Sequence, residues 1–237
     1  MAAPDSLAIV AAEIADCRAC ARLVAWREQV AEERRAAYAS ETYWGRPVQG
    51  FGDPAARILV LGLAPAAHGA NRTGRVFTGD RSGDWLFRSM WRAGLANQAT
   101  STSIDDGLAL RGAWVAAAVR CAPPANKPTP EERDRCLPFL RRELDLLAEV
   151  RVVLALGKFA WDVAWGELGR RGPNGRRPAR PTFAHGAQVH IESGPHGHER
   201  MLIGSFHPSQ QNTFTGKLTE GMLDAVMGSC VEAAGLS

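Results

Sequence analysis

The chain reads as an α/β protein with a mostly parallel central sheet flanked by helices, a three-layer α/β/α arrangement. Three observations predict this. Short apolar runs, Ile58–Leu61, Trp114–Val119 and Val152–Leu156, have the length and makeup of buried strands. Each runs into a loop and then a segment of helical periodicity, the alternation that a parallel sheet requires. Hydrophobic residues form 46% of the 237, enough for a packed core, and neither a repeat nor a linker divides them, so one domain spanning 1–237 is expected.

From the N-terminus, Ser6 to about Val24 is expected to be helical, with Leu7, Val10, Ile14 and Leu23 among its apolar positions. Cys17-Arg18-Ala19-Cys20 lies near its end, and C-x-x-C at a helix terminus is a clip for zinc, iron–sulfur clusters or a redox pair. Ala25 to Thr42 is charged and helical or partly ordered, and its Arg27, Arg34 and Arg35 read as a solvated face. Tyr43 to Asp53 is a loop feeding the first strand. After Ile58–Leu61 comes a long Gly-rich loop, Gly62 to Asp80, and then a helix from Ser82 to Gly94, with Ser82 as its cap. Ala96 to Arg111 is polar and irregular.

Trp114–Val119 runs into Arg120 to Pro128, where prolines on both sides stiffen Ala125, Asn126 and Lys127. Thr129-Pro130-Glu131-Glu132 carries a capping box and a proline in the first turn, so a helix starts there and runs to about Glu149. Pro138 predicts a kink or break just after Cys136. Val152–Leu156 precedes a helix from Phe159 to Leu168, and the arginine-rich Arg170 to Arg180 reads as an exposed loop. Val189–Ile191 and Met201–Ile203 read as short strands on either side of Gly194 to His198. The second leads into Ser205 to Lys217, and an amphipathic helix from about Thr219 to Ala234 follows.

Lys plus Arg is 28 against 25 for Asp plus Glu, and a net charge of +3 does not by itself announce a nucleic-acid binder. The first residues lack the basic start of a signal peptide, and no run approaches the roughly 18 apolar residues of a membrane span. A soluble cytoplasmic protein with no membrane partner is therefore expected. Five cysteines in such a chain point to metal or cluster ligation rather than disulfides. Cys17, Cys20, Cys121 and Cys136 come from two chain segments and can hold tetrahedral zinc or a 4Fe–4S cluster; their spacing decides for neither. Cys230 reads as a core residue.

Loops at the ends of buried strands are where open α/β sheets bind ligands. The Gly62–Asp80 loop carries Arg72, Arg75, an exposed-looking Phe77 and Asp80, and the other strand-end loops carry Asn126 and His207. Taken together, Cys17–Cys20, Gly62 to Asp80, Cys121 to Pro130 and His207 to Thr219 resemble the uracil-DNA glycosylase superfamily. Within it they are similar to the iron–sulfur branch known as family 5, or type b. The resemblance implies a 4Fe–4S cluster on Cys17, Cys20, Cys121 and Cys136, and removal of damaged bases from DNA. One departure stands out. Better-known members of the superfamily carry a water-activating Asp or Asn where this chain has Ala64. Family 5 is similar in lacking that group, and the likeness moves its role to Asp80. It also places Asn126 and His207 in the pocket, with Phe77 stacked on the flipped base.

The chemistry these residues can perform follows from the bond. A base inside a duplex is out of reach, so the nucleotide must be flipped into a pocket. There His207 can donate to the departing base and Asp80 can orient water and offset an oxocarbenium-like sugar, with Asn126 placing water or base. Gly62, Ala64, Ser209 and Asn212 join Phe77 as base- or DNA-facing positions, and Arg75, Ser209, Thr215 and Lys217 are candidate phosphate donors. No lysine in these motifs suits a Schiff base, which predicts a monofunctional glycosylase. The expected partner is duplex DNA carrying uracil or another deaminated or damaged base (hypoxanthine, xanthine, ethenocytosine), with single-stranded DNA as a further candidate and the protein acting as a monomer. The competing readings are a lesion-binding protein without catalysis and a zinc-stabilised nuclease.

Overall fold

A computed structural model describes residues 4–168, 179–191 and 199–236. Its sheet has six strands in the order β1-β3-β2-β4-β6-β5: β1 Phe51–Gly52, β2 Ile58–Gly62, β3 Ala113–Ala117, β4 Val152–Leu156, β5 Gln188–Ile191 and β6 Arg200–Ser205. The four inner strands run parallel, and β1 and β5 pair antiparallel at the two edges. Every residue of β2, β3 and β4 is buried, which explains why these strands are continuously apolar rather than alternating.

Two hydrophobic layers cover the sheet. Leu86, Phe87 and Met90 of α4 (Arg81–Arg92) and Val226, Met227 and Cys230 of α8 (Glu220–Ala234) pack with Val60, Val115 and Leu154 on one face. Leu140 and Leu144 of α5 (Pro130–Leu146) and Trp161 and Ala164 of α6 (Lys158–Leu168) pack with Leu59, Leu61 and Val153 on the other. Because parallel register brings the ends of β2, β4 and β6 side by side, the loops after them converge on one edge. Among the described residues, no helix is long and apolar enough to cross a membrane.

Several expectations are corrected. The N-terminal helix divides into α1 (Leu7–Asp16) and α2 (Ala21–Glu33), because Cys17 and Cys20 take extended backbone angles and the C-x-x-C becomes the corner between them. Helix α2 then continues through much of the segment after Val24 and gives way to a 3-10 turn at Ala36–Tyr38. Asp80, not Ser82, caps α4, its carboxylate accepting from the Gly83 N–H at 3.0 Å. Pro138 does not break α5. Its missing N–H would have met the carbonyl of Asp134, and both residues are exposed, so water can serve that oxygen while Cys136 and Leu140 hold the buried side. The Thr129–Glu132 capping box forms as expected. The stretch Gly194–His198 and most of Arg170–Arg180 lie outside the described residues.

Candidate active site

The strand-end loops enclose a cleft of about 610 Å³. Phe77, Asp80, Asn126 and His207 all line it, together with Ala64, His68, Ser209 and Arg35. Three loops far apart in the chain thus bring these four residues to one place.

Phe77 is only 8% exposed, so it is less open than its surroundings in the sequence suggest. Its backbone is left-handed (φ 54°), a conformation costing about 1–3 kcal/mol in a residue of this kind. Neighbouring contacts impose it. The Phe77 carbonyl packs against Gly83, where a side chain would collide with it, and the ring lies over Gly62, where a Cβ would stand 2.7 Å from Cζ. Gly62 therefore makes room for Phe77 rather than meeting a ligand itself. The ring faces His207, with centroids 5.8 Å apart and planes tilted by 35°.

Arg75 is not a phosphate donor. It is 5% exposed, and its Nη2 donates to both carboxylate oxygens of Asp106 at 2.7 Å and to Ser101 Oγ at 2.8 Å, while Nε donates to Thr78 Oγ1 at 3.0 Å. Its charge is consumed inside the protein, where it ties the Phe77 turn to the 101–106 loop.

The Asp80 carboxyl is pushed above its ordinary value, chiefly by burial; the amides of Gly83 and Ser82 pull back against this. It packs so closely on Gly69 that a side chain there would overlap Oδ2. His207 is pushed down to about 4 by burial, so at neutral pH it is an uncharged imidazole. Its backbone carbonyl accepts from Asn212 Nδ2 at 2.8 Å. Asn212 thus fixes His207 and is a support to the cleft rather than part of its lining. Asn126 is exposed on its 3-10 turn, and it and Ala125 both adopt left-handed angles (φ 55° and 52°). Asn tolerates that conformation better than most side chains.

Ser209 lines the cleft and caps α7 (Gln210–Phe214), its hydroxyl accepting from the Asn212 N–H at 3.4 Å. Thr215 donates to the Gln211 carbonyl at 2.7 Å, and the Lys217 ammonium lies 4.9 Å from the Phe206 ring centroid, both on the exposed surface beyond α7. Sequence reasoning gave three residues here no part in the site. His68 and Arg35 line the cleft, and Phe214 at the end of α7 is 67% exposed beneath the Arg81 guanidinium, 4.2 Å from its ring centroid. A histidine inside the Gly-rich loop was the one available signal; Arg35 and Phe214 gave none.

Cys20, Cys121 and Cys136 gather in a small apolar cluster against which Ala64 and Phe159 pack, and Cys17 lies at the α1–α2 corner beside them. All are free thiols, and burial raises Cys20, Cys121 and Cys136, with Cys121 pushed up to about 12. Among the described residues no three His, Cys, Asp or Glu side chains converge closely enough for a single metal ion, and a four-iron cube spreads its thiolates more widely than one ion does. The surroundings suit an anionic centre. Arg27, 1% exposed, donates from Nη1 to Cys121 Sγ at 3.0 Å, and its buried Nε has no hydrogen-bond partner among the described residues. Its ion-pair partner, Glu28, stands 3.7 Å away and is largely exposed.

The sequence model of the Uracil DNA glycosylase superfamily matches residues 49–228. A "Type-5 uracil-DNA glycosylase" of Mycobacterium tuberculosis (strain CDC 1551 / Oshkosh) is 50% identical over 224 residues, covering 94% of this chain and 80% of that protein. Proteins of the same name from Thermus thermophilus and Pyrobaculum aerophilum are 50% and 42% identical, each covering more than nine-tenths of both chains. The matched segment contains β1 to β6 and Phe77, Asp80, Asn126 and His207, and with these relatives it shows that the chain belongs to the type-5 branch of the uracil-DNA glycosylase superfamily.

Proposed function

We propose that the protein is a monofunctional DNA glycosylase that hydrolyses the N-glycosidic bond of uracil in duplex DNA and leaves an abasic site. The observation that carries this reading is the meeting of Phe77, Asp80, Asn126 and His207 in one cleft. The flipped base stacks on Phe77, whose ring the Gly62 and Gly83 contacts hold in place. Bond breaking moves electrons onto the base. An uncharged His207 donates a hydrogen bond to the base oxygen without giving up its proton, a role suited to a histidine held near pKa 4. The sugar becomes cationic, and the Asp80 carboxylate, poorly solvated where it lies, gains from facing that charge. Asp80 also orients the water that adds to the sugar carbon, with Asn126 completing its placement.

Ala64 cannot polarise water, and as a small lining residue it leaves space that a bulkier side chain would fill. That space supports hypoxanthine, xanthine and ethenocytosine as further substrates. Ser209 at the α7 N-terminus would meet the DNA backbone, and Phe214, exposed at the other end of α7, would enter the stack left by the flipped nucleotide.

Cys17, Cys20, Cys121 and Cys136 would hold a 4Fe–4S cluster. Bound there, it supplies a rigid crosslink and negative charge rather than hydrolytic chemistry. Cys121 and Cys136 bracket the Asn126 turn, while Arg22 of α2 donates to the Lys127 carbonyl at 3.2 Å and pairs with Glu132. The N-terminal helices therefore brace that turn.

Duplexes each carrying one uracil, hypoxanthine, xanthine or ethenocytosine test the reading, with Asp80→Ala alongside. Base release that needs Asp80, with strand breaks only after alkali, is the expected result. Binding without release, or cleavage before alkali, would replace it with a lesion binder or a nuclease.

A further inference from the structure

One wall of the cleft has no part in the scheme above. His68 lines it, and its Nδ1 lies 3.0 Å from the Oη of Tyr43, which is 7% exposed. The same Tyr43 oxygen accepts the backbone N–H of Arg35 at 3.3 Å. A hydroxyl has one proton, and the bond from Arg35 occupies an acceptor site of that oxygen, so the Tyr43 proton is free to go to Nδ1. In the tautomer that takes this proton at Nδ1, the uncharged ring carries its own proton on Nε2. The backbone is fixed as well, since the His68 carbonyl accepts from Arg72 Nε at 2.9 Å. Among the described residues Nε2 has no hydrogen-bond partner, so in that tautomer its N–H is left for a ligand. Burial and the nearby Arg35 and Arg72 charges hold His68 below its ordinary value, in keeping with an uncharged donor. Arg35 lies on the same wall, exposed, and its guanidinium forms no ion pair with a described residue. A free cation beside a fixed neutral donor suits a singly charged oxyanion.

We propose that Arg35 and His68 bind a phosphodiester flanking the flipped nucleotide, His68 as a neutral Nε2–H donor that Tyr43 locks in the required tautomer. The proposal rests on the glycosylase reading for its substrate and adds to it a second histidine with a different role, since His207 serves the base and His68 the backbone. It also reverses the assignment of Arg35 to a merely solvated face.

The test uses the whole protein and a duplex containing 2′-fluoro-2′-deoxyuridine, whose fluorine opposes bond breaking and allows binding to be measured without turnover. His68→Ala is expected to weaken binding about 10- to 100-fold, as loss of a hydrogen bond to a charged group does. Because His68 is uncharged, its loss leaves the salt dependence alone, whereas Arg35→Ala reduces the slope of log K against log salt by about 0.9. Replacing the phosphate on one side of the analogue by a methylphosphonate abolishes the His68→Ala penalty at that position. Tyr43→Phe removes the tautomer lock, and the imidazole nitrogen shifts of His68 change from the Nε2–H pattern to a mixture. A His68→Ala penalty that persists at both neighbouring methylphosphonates, or an unchanged slope in Arg35→Ala, overturns the proposal while uracil release by the wild type still stands. Failure of the wild type to release uracil from an ordinary deoxyuridine duplex overturns the glycosylase reading instead.

Discussion

The carboxylate of Asp80 occupies the space that a side chain on residue 69 would need. Gly69 follows His68 directly, so one turn of backbone supports both a candidate catalytic carboxylate and a candidate phosphate donor. Gly69→Ala is therefore expected to push Asp80 out of position. A displacement on the scale of 1 Å can cost about 10²-fold in rate, while the overpacking itself costs about 1–3 kcal/mol. Uracil release should fall far more than the loss of thermal stability explains, and a denaturation curve beside an activity assay separates the two.

Asp80 both caps α4 and lines the cleft, and Asp80→Asn separates these roles. Asn is as good a cap as Asp, so the bond to the Gly83 N–H survives. The folded-state pKa of Asp80 is raised, so the stability tied to its protonation is present below the ordinary value of 3.8 and lost as pH rises through the folded value. At neutral pH the charged form is a burden that Asn does not carry. The variant should melt at the same temperature as wild type or higher, yet release uracil about 10²-fold more slowly or worse. A melting temperature well below wild type would mean that the carboxylate is chiefly structural.

Arg75 makes the contrasting case. Its pair with Asp106 is buried on both sides, with side chains 6% and 9% exposed, so Arg75→Ala strands a carboxylate and should cost about 3–5 kcal/mol. The salt dependence of DNA binding by the folded variant should match wild type, since no phosphate contact is lost. Salt titrations of the two proteins at a temperature where both are folded check this.

These cases show what the sequence could and could not disclose. Strands β2, β3 and β4 were legible because they are apolar at every position, and the start of α5 because Thr129, Pro130 and Glu132 sit at fixed offsets. Asp80, Asn126 and His207 were legible because each ends a strand–loop unit. Arg75 was misread because its partner, Asp106, lies in an irregular loop with no pattern to announce it. The N-terminal corner was missed because apolar spacing continues across Cys17–Cys20 although the backbone does not remain helical there. Arg35 belongs to the cleft through a tyrosine hydroxyl distant in the fold's logic from any motif, and only coordinates reveal such a contact.

Removing the proposed iron–sulfur cluster should leave the buried Arg27 with only the exposed Glu28 carboxylate, 3.7 Å away, as an anionic neighbour among the described residues. Its N–H to Cys121 would then meet a neutral thiol, because burial holds that sulfur near pKa 12 when no metal is bound. A buried charge that loses its only buried partner costs up to about 3–5 kcal/mol, and the exposed Glu28 offsets part of that. Protein stripped of iron and sulfide should lose its visible absorption and melt well below the loaded form, and Arg27→Met should narrow that difference. An equal melting temperature with and without iron would count against the ligand set.

The pH dependence of stability offers a check on His207. Its folded value is depressed to about 4 from an ordinary 6.5, so between those values the unfolded chain binds a proton that the folded chain refuses. Stability is therefore full above pH 6.5 and is lost as pH falls toward 4, by an amount of roughly 2–3 kcal/mol from this residue. His207→Gln cannot take up the proton, so its melting temperature should fall less steeply across that window. Above pH 5 the His207 donor stays uncharged, and uracil release should show no acid limb near 6.5 attributable to it. An imidazole titration of His207 centred near 6.5 would contradict the burial that sets its role, and would return the imidazolium form as the partner of the departing base.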